Sequence, residues 1–431
     1  MQIRVDFNKA VGKIKPLHGI DNAPVMGIDT SLFHFMGEAG IPYCRFNDMG
    51  GMFGGGLFVD IINIFRDFNA DPEDPASYDF TFTDWLFEKV KEQGADIVYR
   101  LGPSIENWQH IKAYYIYPPE DNLKWAKICE HIIMHYNYGW ADGYHYDIKY
   151  WEIWNEPDNG PDIESNQCWK GTMEQFFELY VTAAKYLKDK FPHLKIGGYG
   201  SCGFYSLTGF YEKTANSSAR TDYFVDFFQK FIDYITEHKA PLDFFTWHSY
   251  ATVDHNTIWV DYVREYLDSH GFVHTESHLN EWNPGVKFRG TEEDAARVGE
   301  MLVTMHKKPI DLMNYYNGES RSPVYSGLFD KDEKTVFPAY WALNAFNELY
   351  VLGSVAELET DIPALAATDG KTGKIMVTNN SEEVHKLELK VAGDWKVKSF
   401  RINEGRTGLV EADINDLTIP AKKIAIIEFE I

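Results

Sequence analysis

Paired cysteines and long apolar runs are both missing from this sequence. Its four cysteines are scattered with no CxxC pair, so they indicate neither a zinc site nor a disulfide framework. No apolar run approaches the roughly 20 residues that a membrane span requires, and the first ten residues lack the basic and then apolar layout of a signal peptide. We therefore expect free thiols and no membrane partner. The compartment stays open between the cytoplasm and secretion with a signal removed.

Positive charge is also scarce. The 431 residues include 41 Lys and Arg against 65 Asp and Glu, which gives a formal net charge of −24 at pH 7. This sign repels nucleic acid, and we expect none as a partner. Aromatic residues, by contrast, make up 16% of the chain. Sugars stack on such rings, but the same rings also fill cores, so this composition favours a carbohydrate site only weakly.

Apolar runs and helical patterns alternate from about Leu17 to Tyr350, which is typical of a parallel α/β fold. Eight such units occur without a dinucleotide-binding fingerprint, so we predict a (β/α)8 TIM barrel rather than a doubly wound sheet. The predicted strands are Leu17–Asp21, Tyr43–Phe46, Asp96–Leu101, Tyr150–Trp154, Lys195–Gly198, Phe244–His248, Val273–Asn280 and Leu312–Tyr316.

The pattern changes after Tyr350 to short runs separated by turn residues, which predicts a smaller C-terminal antiparallel β-sandwich. Its predicted strands are Lys374–Thr378, His385–Val391, Trp395–Ile402 and Ile424–Ile431. The opening run Gln2–Phe7 has no helix after it, so we expect it to pair into the C-terminal sheet. The predicted division is a barrel over 10–350 and a sandwich over 351–431, joined by strand 2–7.

The strongest local pattern is WEIWNEPD at the end of the fourth predicted strand. Active sites of barrels assemble at this end of the strands. Pro157 cannot donate to a sheet and so ends the strand, which leaves Asn155 and Glu156 at the mouth. A second carboxylate, Glu281, closes the seventh strand, and Trp282 beside it is a candidate substrate contact. The Gly-rich stretch Gly50–Gly56 is predicted to be a mobile loop.

Two glutamates on strands four and seven would face each other across the mouth. Glycoside hydrolysis uses such a pair, one protonated at the leaving oxygen and one ionised below the anomeric carbon. A separation of about 5–5.5 Å lets the second attack directly and gives retention. The charge of an ionised Glu281 would also raise the pKa of Glu156. Glu276, earlier on the same strand, is the rival for the second position.

Four motifs, WEIWNEPD, PHLKIGGYG, DFFTWHSY and HLNEWN, follow one another on predicted strands four to seven. Together they resemble family 39 glycoside hydrolases of clan A, and the similarity extends from about Val5 to Tyr350. The resemblance implies a retaining glycosidase of the β-xylosidase or α-L-iduronidase kind. It assigns the acid/base role to Glu156 and the nucleophile role to Glu281.

The resemblance implies roles for further residues. Asn155 matches the asparagine that hydrogen-bonds the sugar 2-hydroxyl, and His248 and Tyr250 match a pair on strand six that orients the nucleophile. Arg45 matches the arginine that supports the nucleophile. Tyr316 stands where many clan members carry a tryptophan, and it is the expected platform under the sugar. Each of the last two assignments has a purely structural alternative. His248 could be a core histidine with all its hydrogen bonds made inside the protein, and Arg45 could belong to a buried ion pair.

The substrate stays open at this point. The second-strand loop, 45–51, lacks the family's usual histidine, which changes the expected contacts to the terminal sugar. The leading hypothesis is a β-xylosidase-like enzyme acting on neutral oligosaccharides or glycosides. Arabinosidase, β-glucosidase, iduronidase-like and endo-acting specificities are alternatives. Lys287, Arg289 and Arg321 would supply the cations that an iduronide substrate needs, or they are solvated loop cations.

An inactive carbohydrate-binding barrel is the alternative from another class. A binding protein, however, has no need of a protonated carboxyl group opposite a nucleophile. The hydrolytic chemistry requires no metal ion and no organic cofactor, and no ligand spacing in the sequence suggests one. The sequence does not determine the oligomeric state.

Overall fold

The structure, a computed structural model, describes residues 1–25, 29–49, 58–104, 114–210, 215–320 and 327–431, without the side chains of 215–217. The predicted mobile loop Gly50–Gly56 and Arg321 lie outside the described residues. The chain opens with strand β1 (Gln2–Lys13). Eight parallel strands then close into the predicted barrel. These strands are β2 (Gly19–Asp21), β3 (Tyr43–Phe46), β4 (Asp96–Leu101), β5 (Tyr150–Ile153), β6 (Lys195–Ser201), β7 (Phe244–Ser249), β8 (Glu276–Trp282) and β9 (Leu312–Tyr316).

Helices connect the strands and are bounded by local signals. The α-helices of the described residues are α1 (His34–Glu38), α2 (Ile61–Ile64), α3 (Thr81–Glu92), α4 (Asn122–Tyr138), α5 (Met173–Lys190), α6 (Ala215–Glu237), α7 (Val253–Ser269), α8 (Asp294–Met305) and α9 (Tyr340–Tyr350). A reciprocal capping box starts α5, because Thr172 and Gln175 each accept the other's backbone N–H. Gly139 ends α4 in the left-handed conformation at φ 75°. In the part of the chain that is described, every helix is too short or too polar to cross a bilayer.

The C-terminal region is rich in sheet, which confirms this much of the predicted antiparallel β-sandwich. Its strands, with a short hairpin before them, are β10 (Phe329–Asp330), β11 (Thr335–Val336), β12 (Ser354–Thr360), β13 (Ala364–Thr368), β14 (Thr372–Asn379), β15 (His385–Lys386), β16 (Glu388–Val391), β17 (Lys396–Asn403), β18 (Leu409–Glu411), β19 (Thr418–Ile419) and β20 (Lys423–Glu430). One hydrogen-bonded sheet has the order β16-β1-β12-β13-β14-β20-β17-β18. Its pairs are antiparallel except β1 with β16, which is parallel.

The N-terminal strand belongs to this C-terminal sheet. Residues Ile3 to Lys13 of β1 pair with β12 through two register shifts. The strand therefore continues past residue 10, where the barrel region was expected to begin. Ile3, Val5 and Phe7 are buried in a core that the C-terminal strands share. The two ends of the chain thus stabilise one sheet.

The sheet also packs on the barrel. Leu365 and Met376 on its other face join the main core with residues of α8 and α9. A Cβ added at Gly299 of α8 would lie 2.7 Å from Ile424 of β20, so this glycine allows the helix to approach the sheet closely. Burying each large aliphatic side chain here contributes about 1.5–3 kcal/mol. The C-terminal sheet is therefore fixed beside the barrel by apolar contact.

Strand boundaries differ from prediction in instructive places. The predicted seventh strand begins at Val273, but residues 273–274 form a turn and β8 begins at Glu276. Val273 is 56% exposed, so no burial favours extending the strand to it. Strands β12 and β13 are absent from the prediction. Strand β13 reads ALAAT and is buried throughout. Alanine has weak strand propensity, so only burial on both faces makes this segment a strand.

Candidate active site

The backbone at the end of β5 turns Glu156 into the mouth of the barrel. Trp154 and Glu156 have φ values of 72° and 50°, which are unusual for residues other than glycine. Such conformations cost roughly 1–3 kcal/mol each and persist only where neighbouring contacts hold them. The Glu156 N–H donates to Gly200 O at 2.9 Å, and Trp154 Nε1 donates to Cys168 O at 2.9 Å. These contacts fix the turn.

A register shift on β8 places Glu281 at the same mouth. Trp247 of β7 pairs with Leu279, but the next residue, His248, pairs with Glu281. Irregularities of this kind redirect side chains next to active sites. Asn280 consequently points into the barrel, where Nδ2 donates to Glu152 Oε1 at 2.8 Å.

Trp282 does not reach the pocket. It is 0% exposed and packs edge-on against Tyr315, with 5.5 Å between ring centroids. Successive residues of a strand point to opposite faces, so a strand that aims Glu281 into the mouth turns Trp282 away from it. The expectation that Trp282 contacts the substrate is therefore not met by its position.

Glu156 and Glu281 face each other across His248. One ligand-type atom from each of the three residues lies within 4.8 Å of the others. His248 Nδ1 is 2.9 Å from Glu156 Oε1 and 3.5 Å from Glu281 Oε2. The two carboxylate side chains keep 15% and 8% of their surface exposed, so both can be reached from the mouth. Asn159 Nδ2 donates to Glu156 Oε2 at 3.0 Å.

Arg45 joins the ends of several strands beneath the two glutamates. Its fully buried guanidinium donates to Asp21 Oδ2 at 2.6 Å, to Glu152 Oε2 at 2.7 Å and to Asn155 Oδ1 at 2.7 Å. Nη1 is also 3.4 Å from Glu281 Oε2. Arg45 is thus both a structural ion pair and a neighbour of Glu281, because the same planar group serves all four acceptors.

Two tyrosines close the side of the pocket next to Glu281. Tyr250 donates its hydroxyl hydrogen to Glu281 Oε1. Its ring lies edge-on to Tyr316, with 6.0 Å between centroids, and Tyr316 is 8% exposed. The Arg289 guanidinium lies 5.6 Å from the Tyr250 ring centroid and 5.4 Å from that of Tyr316. Tyr250 therefore contacts Glu281 directly, and Tyr316 lies against Tyr250. The expected role of Tyr316 as a platform under the sugar stays a prediction.

The predicted cation cluster is only partly near the pocket. Arg289 is buried against the two tyrosines, whereas Lys287 is exposed and lies over the Phe288 ring at 4.8 Å. Arg321 lies outside the described residues. One of the three cations is therefore placed beside the site.

The protonation order of the site departs from the sequence-based expectation. Burial alone would lower the pKa of His248, but the charges of Glu281 and Glu156 raise that pKa to about 9. Burial raises the pKa of Glu156, yet the hydrogen bond and charge of His248 outweigh it and lower that pKa. Burial raises the pKa of Glu281. The expected rise at Glu156 is therefore wrong for the free site, because His248 holds the proton between the two carboxylates.

The same trio has the atom types of a metal site. Carboxylate and imidazole donors bind divalent cations in many proteins. Here the permanent charge of Arg45 and the proton on His248 are close to the carboxylates. Both charges oppose a second cation, so the trio suits proton transfer better than metal binding.

Glu276, the rival glutamate, lies at the opposite end of β8. Its carboxylate accepts from Lys195 Nζ at 2.8 Å, from Tyr150 Oη at 2.9 Å and from His278 Nε2 at 2.9 Å. It does not face Glu156. These partners lower its pKa to about 2 against the effect of burial.

Sequence reasoning missed the residues that hold the site from below. Asp21, Glu152 and Asn280 bond Arg45 or one another inside the barrel. One available signal was Glu152, a charge between Trp151 and Ile153 in an otherwise apolar strand. A buried charge needs a partner, so this position could have indicated a buried cation in the barrel, an inference that the sequence analysis did not draw.

The comparisons with known proteins agree with the fold and the motifs. The family model "Glycosyl hydrolases family 39" matches residues 32–350. The chain belongs to this family. A β-xylosidase of Geobacillus stearothermophilus is 26% identical over 216 residues, which are 46% of this chain and 36% of that protein. The matched region is thus about a third of the relative's length.

Solved structures share the whole architecture. A glucosidase from Croceicoccus marinus has a TM-score of 0.77 at 20% identity, covering 100% of this chain and 98% of that one. A family 39 β-xylosidase from Caulobacter crescentus has a TM-score of 0.71 at 17% identity, covering 100% of both chains. At these identities the likeness shows the fold, a closed parallel barrel with a sheet-rich C-terminal region.

Proposed function

We propose that the chain is a retaining glycoside hydrolase, with Glu156 as the acid/base and Glu281 as the nucleophile. The observation that carries the proposal is the distance between them: carboxylate oxygens of the two residues lie within 4.8 Å. Retaining enzymes hold their carboxyl groups about 5–5.5 Å apart, whereas inverting enzymes leave about 6.5–9.5 Å for a water molecule. The spacing supports direct attack by Glu281.

The surroundings suit Glu281 for attack and Glu156 for proton transfer. Arg45 and the Tyr250 hydroxyl stabilise the ionised form of Glu281. Glu156 faces His248 Nδ1, so a proton that shifts along this hydrogen bond yields a protonated Glu156 beside an ionised Glu281. A bound glycoside favours protonated Glu156, because its leaving oxygen accepts a hydrogen bond from the protonated carboxyl group.

The reaction would proceed in two steps. Glu281 attacks the anomeric carbon while Glu156 gives its proton to the leaving oxygen, so the glycosidic bond breaks and a glycosyl ester forms. Glu156 then takes a proton from water, whose oxygen displaces Glu281. Asn155 is held through Oδ1 by Arg45, which leaves Nδ2 to donate to the sugar 2-hydroxyl. Tyr316 would lie under the sugar ring as an aromatic platform.

The substrate we propose is a neutral, β-xyloside-like glycoside. The family and the β-xylosidase relative support this choice. β-Glucosides are the second candidate, and a solved structure of similar fold is that of a glucosidase. Arabinosidase, iduronidase-like and endo-acting specificities remain alternatives within the clan.

A panel of aryl glycosides tests the proposal. It contains β-xyloside, α-arabinofuranoside, β-glucoside, β-galactoside and α-iduronide, with the product anomer followed by NMR. Highest kcat/KM on the β-xyloside, with a β product formed first, is expected. An α product formed first from the β-xyloside would contradict retention. Binding without hydrolysis of any member would instead favour an inactive carbohydrate-binding barrel.

A further inference from the structure

Asp48 lies at the mouth of the barrel, in the loop that follows β3. Its backbone N–H donates to Asn22 Oδ1 at 2.9 Å, and the N–H of Asn47 shares the same acceptor at 3.2 Å. Asn47 Nδ2 in turn lies 3.4 Å from Glu281 Oε2. Asp48 is therefore held next to the residue that touches the proposed nucleophile.

One oxygen of the Asp48 carboxylate is buried and has no partner among the described residues. Only 4% of the residue is exposed, and within that part of the chain nothing hydrogen-bonds to Oδ1. Arg100 is the cation that attracts this carboxylate most strongly, yet its guanidinium donates hydrogen bonds to Asn47, Asp60 and Ser104. A buried, unpartnered polar atom is rare and destabilises the free protein.

The charges around Asp48 do not remove this cost. Burial raises the pKa of Asp48, and Asp60 and Glu319 raise it further against the attraction of Arg100 and Arg45. After burial and the charge of Glu156, the charge of Asp48 contributes to the raised pKa of Glu281. The charge of Asp48 therefore opposes ionisation of the proposed nucleophile, so a structural purpose alone explains this residue poorly.

We infer that Asp48 contributes to recognition of the sugar bound over Glu281. It accepts a hydrogen bond from a ring hydroxyl and repels sugars that carry a carboxylate. The inference rests on the proposed function. A sugar hydroxyl supplies the hydrogen-bond donor that Oδ1 lacks among the described residues. A uronate would bring a like charge to a buried carboxylate, which is unfavourable at low dielectric. The site therefore takes neutral sugars.

Substrates that lack one hydroxyl each test the contact. We would measure kcat/KM of the wild type and Asp48→Asn on 4-nitrophenyl β-xyloside and on its 3-deoxy and 4-deoxy analogues. For the wild type, kcat/KM on one of the two deoxy analogues should be about tenfold or more lower than on the parent xyloside, as expected for loss of a hydrogen bond to a charged group. In Asp48→Asn the penalty for that analogue should shrink to a few-fold. Unchanged penalties for both analogues would overturn the inference.

A uronide and a stability measurement add two independent tests. Asp48→Asn should raise the ratio of kcat/KM on 4-nitrophenyl β-glucuronide to that on the β-glucoside by about tenfold. The same change should raise Tm, because it neutralises an unpartnered buried charge. A lower Tm together with an unchanged ratio would mean that Asp48 is structural. Asp84→Asn is the matched control, because this carboxylate on α3 accepts a hydrogen bond from Tyr136 on α4, and it should leave the ratio unchanged.

Failure of this inference is separable from failure of the proposed function. If the wild type hydrolyses no aryl glycoside, the proposed function is wrong, and saturation-transfer NMR with D-xylose and D-glucuronate still decides the role of Asp48. Preference of the wild type for xylose that is lost in Asp48→Asn supports the inference. Equal preference in both proteins, or binding of neither sugar, overturns it.

Discussion

The two glutamates of β8 lie on one strand but have opposite surroundings. Glu276, at the N-terminal end, accepts hydrogen bonds from Lys195, Tyr150 and His278, and these partners lower its pKa to about 2. Glu281, at the C-terminal end, has its nearest cationic partner, Arg45, at 3.4 Å, and burial raises its pKa. The same residue type is thus stabilised as an anion at one end and held closer to neutrality at the other.

The two ends of the barrel thus use glutamates differently. Charges at the base are paired and stabilise the fold, whereas those at the mouth are placed where they could exchange protons. At the base, Glu276 has its acceptor oxygens engaged. At the mouth, the three neighbouring titratable groups change each other's pKa. The pKa of Glu156 is lowered, whereas those of His248 and Glu281 are raised. Perturbed and mutually dependent protonation of this kind clusters at functional sites. Substitutions at the mouth and at the base of the barrel test this separation.

The largest effect is expected from removing the glutamate at the mouth. Glu281→Ala should lower kcat on an aryl β-xyloside by roughly 10⁴-fold or more, because no other group can attack the anomeric carbon. Any product formed with azide should have the inverted configuration. Glu276→Ala is the matched control and should keep kcat/KM close to that of the wild type. A large loss in the control alone would reverse the assignment on β8.

Removing Glu156 should have an effect that depends on the leaving group. Glu156→Ala should slow substrates with poor leaving groups by roughly 10²–10⁴-fold, because general acid catalysis is lost. Substrates with a 2,4-dinitrophenyl group should still form the glycosyl-enzyme. Azide should then rescue turnover with retention, as shown by NMR of the glycosyl azide. An inverted azide from this variant would exchange the roles of the two glutamates.

The pH dependence of kcat/KM should report the proton on His248. The acid limb should lie above pH 4.5, because Glu281 must be ionised and its pKa is raised. The basic limb should lie near pH 9, because the proton needed by Glu156 is held with His248, whose pKa is about 9. His248→Ala should move the basic limb to lower pH, since a carboxyl group then holds the proton alone. An unmoved basic limb would show that His248 does not carry it.

The smallest effect is on stability, at the base of the barrel. Glu276→Gln should lower the free energy of unfolding at pH 7 by about 3 kcal/mol, since its folded pKa of about 2 lies below the ordinary 4.5 and one unit corresponds to about 1.4 kcal/mol. A depressed carboxyl pKa stabilises above the unfolded pKa, so the difference should disappear as the pH falls from 4.5 towards 2. Urea denaturation at several pH values measures it. A difference that does not change with pH would mean that the ion pair is not its cause.

The fold could be predicted well from the sequence because its signals are local. Strands such as Tyr43–Phe46 and Leu312–Tyr316 are short apolar runs bounded by turns, and their limits agree with the structure. The ALAAT strand at 364–368 could not be predicted, because alanine does not favour strands. Its burial comes from segments distant in the sequence.

The candidate site was predictable only in part. Glu156 and Glu281 stand in motifs at strand ends, and the direction of these strands in a barrel brings them together. Trp282 adjoins Glu281 in the sequence, but the pleat of β8 points it away from the mouth. The sequence also could not predict that His248 lies close to both carboxylates. Its effect on the pKa of Glu156 depends on a distance of a few ångströms, which only the folded structure provides.

The sequence by itself determined the order of the strands, the family and the two residues expected to carry the chemistry, since apolar period, turn residues and motifs are properties of neighbouring positions. The tertiary structure decided which charges are paired and which are not. Arg45, Asp21 and Glu152 come from three different strands and meet only inside the closed barrel. Coulomb energies and desolvation depend on spatial distance and burial, so the protonation of Glu156 and the unpartnered carboxylate of Asp48 follow from the fold alone.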